Sequence, residues 1–176
     1  MAYPEPRKTK PVFKHALVLG PLASAVALFL ATGYAWDLIG KTTTWFLNAI
    51  GFSVYYLSPL RLASVQLLDG TIAGFHVLIQ CSGLVTVAIF SFIYIFTVGL
   101  LKGSLLNKIT WFLLSISVGF LWNINRLTLV VIIAYNFGLS AFSFAHYILG
   151  PFVDFLWIIV MWSLSMSRLR VEEISA

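Results

Sequence analysis

Four apolar runs dominate the chain, at residues 16–33, 82–101, 109–136 and 148–167, and only Arg126 and Asp154 bring charge into them. At a rise of about 1.5 Å per residue, helices of this length match the roughly 30 Å hydrocarbon core of a bilayer. Composition agrees. The chain is 60% hydrophobic and 10% charged, where a soluble domain averages about 25% charged residues. It reads as an all-α integral membrane protein with about four to five transmembrane helices. The first run follows a basic N-terminus and resembles a signal peptide, with a weak cleavage site at Gly33-Tyr34-Ala35. Its apolar stretch exceeds the ~7–15 residues of a signal core, which predicts an uncleaved anchor helix.

The net charge of +5 is not spread evenly. Arg7, Lys8, Lys10 and Lys14 precede the first run, Lys102 and Lys108 flank a short loop, and Arg168 and Arg170 follow the last run. This is the positive-inside pattern. It puts both termini and the middle loop on the cytoplasmic side and leaves no basic patch for nucleic acid. One cysteine excludes an internal disulfide, and three scattered histidines with that cysteine make no metal-ligand cluster. No cofactor is expected. There is no repeat or linker, so the expected organisation is a basic cytoplasmic N-terminus (1–14), one membrane-embedded domain (15–168) and a cytoplasmic tail (169–176).

Residues 36–58 are aromatic-rich and moderately apolar. A full crossing here would separate the basic loops onto opposite sides. The segment is therefore expected to be an interfacial helix on the outer surface, ended by Pro59. Asp69-Gly70, set between apolar runs, predicts a small extracytoplasmic β-hairpin leading into the second span.

Three chemically capable residues fall at one depth. Helix rise puts Cys81 about 31 Å from Lys102, Arg126 about 27 Å from Lys108, and His146 about 33 Å from Arg168. All three thus reach the outer face. Each has an ordinary reading: Cys81 as packing, Arg126 as half of an ion pair with Asp154, His146 as a solvated bystander. Together they suffice for acyl transfer. A thiolate near a helix start attacks a carbonyl, histidine moves protons, and a fixed cation stabilises the oxyanion. Ser82 and Gly83 mark the start of the helix after Cys81. Asn123 lies on the face of Arg126 and is expected to fix its guanidinium. His76 is an alternative partner for Cys81, whereas His15 is on the wrong side. The small residues Gly83, Thr86, Ala88, Gly99 and Gly119 are candidates for a lateral entrance.

Cys81-Ser82-Gly83, the Asn-Ile-Asn-Arg motif ending at Arg126, and the His-Tyr-Ile-Leu-Gly motif starting at His146 together resemble the exosortase/archaeosortase family. The resemblance covers roughly residues 51–167, although the chain is shorter than many bacterial relatives. It implies a membrane-embedded cysteine transpeptidase or protease. Its substrates would be surface-protein precursors carrying a C-terminal motif, one transmembrane helix and a basic cluster, with a membrane lipid or other amine as acceptor. By that resemblance Cys81 is the nucleophile, Arg126 the oxyanion-stabilising or orienting group, and His146 the acid–base. It implies a multi-pass protein in the cell membrane of an archaeon or bacterium, with the site facing outside. The alternative is a non-catalytic scaffold or small-ligand-binding module in which Arg126–Asp154 is structural.

Overall fold

The computed structural model describes residues 12–175; Arg7, Lys8 and Lys10 of the basic N-terminus lie outside the described residues. Helix α1 (Val12–Ala31) and helix α2 (Gly33–Ala49) meet at Thr32, whose extended backbone interrupts the helix. The two are bent by 66°. The break frees carbonyls at the end of α1, and the Trp36 indole N–H takes one of them, donating to Leu30 at 2.9 Å.

Helix α2 ends ten residues short of the expected terminator Pro59. Strand β1 (Val54–Leu57) occupies the stretch that was expected to be helical, and Pro59 sits in a short 3-10 turn, Ser58–Leu60. The reason is that Val54 finds a better partner across a sheet than along a helix. It pairs with Val65 of β2 (Leu62–Gln66), which pairs in turn with Ala73 of β3 (Ile72–His76). The side chain of Asn48 clamps the start of β1. It accepts from the Val54 N–H at 2.9 Å and donates to the Val54 carbonyl at 3.0 Å. The antiparallel order is β1-β2-β3. Its alternating inner face (Val54, Val65, Ala73) packs on Leu47 of α2 and on Val131 and Ala134 further along the chain. The expected hairpin is β2–β3. At its tip Asp69 Oδ1 accepts from the Thr71 N–H and hydroxyl at 2.9 and 2.6 Å.

Helix α3 (Leu84–Thr97) follows a 3-10 turn at Ile79–Ser82. Helix α4 (Leu105–Phe144) runs antiparallel to it, and a π-helical turn at Ala145–Leu149 continues α4 into α5 (Gly150–Ser175). Phe90, Tyr94, Phe112, Trp157 and Met161 interleave between α3, α4 and α5, closed by Leu19 of α1. Gly99 packs on α1, and the face of Gly119 lies under the Trp157 ring, while Gly83, Thr86 and Gly119 together line a cavity of about 490 Å³. Inside α4, Gly138 takes φ 77°, ψ −177°, a region essentially reserved for glycine. There α4 folds over and sends Phe142 back toward the bundle. The run Leu105–Arg170 is apolar and long enough to cross a membrane, α1 and α2 meet that test only as a bent pair, and Leu84–Leu100 is shorter. Large apolar side chains such as Leu28, Phe92, Leu106, Leu121 and Phe152 face outward, as a lipid-exposed surface requires.

The end of the bundle far from Cys81 holds an unexpected burial. Lys108, expected at a loop, is fully buried. Its ammonium lies 2.9 Å from His15 Nδ1 and donates to the carbonyls of Gly99, at 3.3 Å, and Leu101. The Lys108 carbonyl accepts from the Tyr94 hydroxyl at 2.8 Å. A cation that caps loose carbonyls at a helix C-terminus is well placed against the dipole.

Candidate active site

Cys81 sits in the 3-10 turn just before α3, and Gly83 makes the junction. Gly83 adopts φ 73°, a left-handed conformation costly for any other residue, and its open side faces the Asn123 side chain. Asn123 Nδ2 donates to the Cys81 carbonyl at 2.6 Å. This corrects the expectation that Asn123 fixes Arg126: helix α4 turns it toward the turn carrying the thiol. Asn125 donates back to Leu121 on the exposed side. The Cys81 thiol is 7% exposed among Ile39 and Val77, with Sγ 4.0 Å from the His76 carbonyl oxygen. Only the backbone of Ser82 is among what the structure describes.

A cavity of about 380 Å³ opens beside the thiol. Its walls come from α2, the edge strand β3, the turn around Cys81, α4 and the π turn. It brings Cys81, His76 and His146 together. His146 is fixed by rings: it stacks on Phe142 (centroids 5.4 Å apart, planes 8° apart) and meets Tyr147 edge-on. Phe142 in turn lies 4.6 Å from Phe75 of β3. The hairpin thus helps hold the imidazole. Tyr56 backs the cluster around Cys81; burial, with the nearby Asp37 carboxylate, pushes its phenol up to about 12.

Arg126 lines a neighbouring groove with Trp122, Ala145, Leu149, Gly150 and Val153 instead. Its guanidinium pairs with Asp154, which also accepts from the Thr86 hydroxyl at 3.1 Å. The Arg126 Nε stays buried without a partner among the described residues. The two charges act on His146. Two residues of the cavity escaped the sequence reading: Thr43 and Thr44 of α2 line it. The signal for them is the run Thr42-Thr43-Thr44, three successive hydroxyls inside a helix.

Fold and site together define a helical membrane protein with a cysteine, two histidines and a buried ion pair gathered at one end. The chain belongs to the transmembrane exosortase family (Exosortase_EpsH), whose profile matches residues 8–163. Neither a curated protein nor a solved structure matches it. Members of this family are generally membrane cysteine transpeptidases acting on secreted precursors that carry a C-terminal sorting signal.

Proposed function

We propose that this chain is a membrane-embedded cysteine transpeptidase or protease that cuts the C-terminal sorting tail from secreted surface proteins. The new carboxyl group passes to a lipid or another amine. One observation carries the reading: in a chain of the exosortase family, Cys81 and His146 line a single cavity. His146 takes the thiol proton as Sγ attacks the scissile carbonyl carbon. The tetrahedral intermediate collapses, the C–N bond breaks, and His146 returns the proton to the departing amine, leaving a thioester on Cys81. An incoming amine then attacks the thioester, gives up its proton to His146, and frees the thiolate. Arg126, held by Asp154, orients this end of the bundle and supplies positive charge beside His146. The active site faces outward and both termini are cytoplasmic, with membrane crossings supplied by α1, α3, α4 and α5.

The test is release of a precursor's C-terminal tail in cells. Cys81→Ala is expected to abolish it, and normal processing by that variant would sink the reading. His146→Ala should stop turnover while His76→Ala retains most of it; the reverse order would transfer the base to His76. A second reading, the non-catalytic scaffold or ligand-binding module, has one observation in its favour: Arg126 pairs with Asp154 and lines its own groove. It predicts that Cys81→Ala is silent.

A further inference from the structure

Two hydroxyls in the cavity lack a hydrogen-bond partner among the described residues. Thr43 and Thr44 are 7% and 8% exposed, and their Oγ1 atoms have no partner among the described residues. Buried hydroxyls inside helices ordinarily turn back onto their own backbone. Their neighbour does so: Thr42 donates to the Leu38 carbonyl at 2.8 Å. Ser115 and Ser165, both buried, donate to Trp111 and Met161 at 2.8 Å. Thr43 and Thr44 instead line the cavity that Cys81 and His146 line. An unsatisfied buried hydroxyl loses its water partners without replacement and so destabilises the fold that keeps it. A pair of them retained on the wall facing a nucleophile points to a ligand that supplies the acceptor.

The attack of Cys81 creates such an acceptor, because the carbonyl π electrons move onto oxygen as the C–S bond forms. Arg126 is committed to Asp154 and lines another groove, so the cavity needs donors of its own. We infer that the Thr43 and Thr44 hydroxyls are the donors that hold the substrate carbonyl oxygen during acylation of Cys81. The inference rests on Cys81 being a nucleophile. It assigns to α2, a helix with no charge or histidine at this position, a direct part in the chemistry. The donors themselves add no charge to the cavity and act on the oxyanion through hydrogen bonds in a site of low dielectric.

Two reagents separate this role from a structural one, with the full chain in proteoliposomes. p-Nitrophenyl acetate acylates a thiol through an oxyanion: Sγ attacks the carbonyl carbon and nitrophenolate leaves. Iodoacetamide alkylates the same thiol by displacing iodide, with no oxyanion formed. Both products are read on Cys81 by mass spectrometry. Thr43→Val and Thr44→Val are expected to slow acetylation by about 10²-fold or more, leave alkylation unchanged, and recover acetylation as Thr43→Ser and Thr44→Ser. Thr128→Val, which removes another buried unpartnered hydroxyl outside this cavity, should change neither rate. Valine is isosteric and relieves an unpaired hydroxyl, so both variants should unfold no earlier than the parent. Equal acetylation in parent and valine variants, or parallel loss of both reactions, overturns the inference while leaving Cys81 a nucleophile. A parent thiol that is alkylated but never acetylated overturns the nucleophile itself.

Discussion

The side-chain amide of Asn123 holds the main-chain carbonyl of Cys81 at 2.6 Å, fastening the turn that carries the thiol to the middle of α4. The bond is buried, and Gly83 gives the turn beside Asn123 its left-handed backbone. Replacing Asn123 with Leu strands the carbonyl without a donor. We expect a stability loss of about 1–3 kcal/mol and faster, less selective thiol labelling as the turn loosens. Denaturant unfolding in detergent, paired with labelling kinetics, reads both. An unchanged labelling rate would mean that other contacts hold the turn.

The Arg126–Asp154 pair is almost enclosed, with side-chain exposures of 10% and 14%. Removing one partner leaves the other charge buried alone, at a cost of about 3–5 kcal/mol. Arg126→Gln and Asp154→Asn should therefore each destabilise the protein strongly, and the double variant less than either. If the pair is only structural, the double variant keeps its function. If Arg126 serves the chemistry, the double variant is folded but inactive. Thermal unfolding and tail processing of the three variants decide between these outcomes.

Gly138 permits the reversal that leads to His146. Its backbone region excludes side chains at a cost of about 1–3 kcal/mol. Gly138→Ala should lower the unfolding midpoint and disturb the Phe142–His146 stack, so that processing falls by more than the stability loss alone predicts. An active, fully stable alanine variant would show that the reversal tolerates another backbone geometry.

Tyr56, on strand β1, offers a pH signature. Burial pushes its phenol up to about 12, above the ordinary value of 10.0. The folded chain holds this proton more tightly than the unfolded one. Its contribution to stability is complete below pH 10 and lost as pH rises toward about 12. Tyr56→Phe should flatten that part of the alkaline decline in unfolding temperature. Identical alkaline curves for the two proteins would refute the assignment.

What the sequence discloses here follows the reach of each interaction. Asp69-Gly70 fixes a turn through its own backbone and Thr71, so the hairpin is readable locally. Arg126 and Asp154 stand out because charge in an apolar run needs compensation. Strand β1 is hidden, since its Val-Tyr-Tyr-Leu run extends an amphipathic helix in composition, and only pairing with Val65 makes it a strand. The same holds for Asn123. Its helical neighbour Arg126 is evident from spacing, but its actual partner lies on another helix, and spacing gives depth without lateral position. The enclosure of Lys108 by His15, Gly99 and Leu101 is invisible for the same reason.

Helix α3 and its closing turn run only from Leu84 to Leu100, a rise of about 25 Å where the hydrocarbon of a bilayer measures roughly 30 Å. A membrane crossed by this helix suffers a hydrophobic mismatch and dimples inward around it. The headgroup layer then descends toward the turn that bears Cys81. On the proposed reading, that deformation of the bilayer would bring lipid amines to the level of the thiol, and short-chain membranes would fit the protein better than long-chain ones.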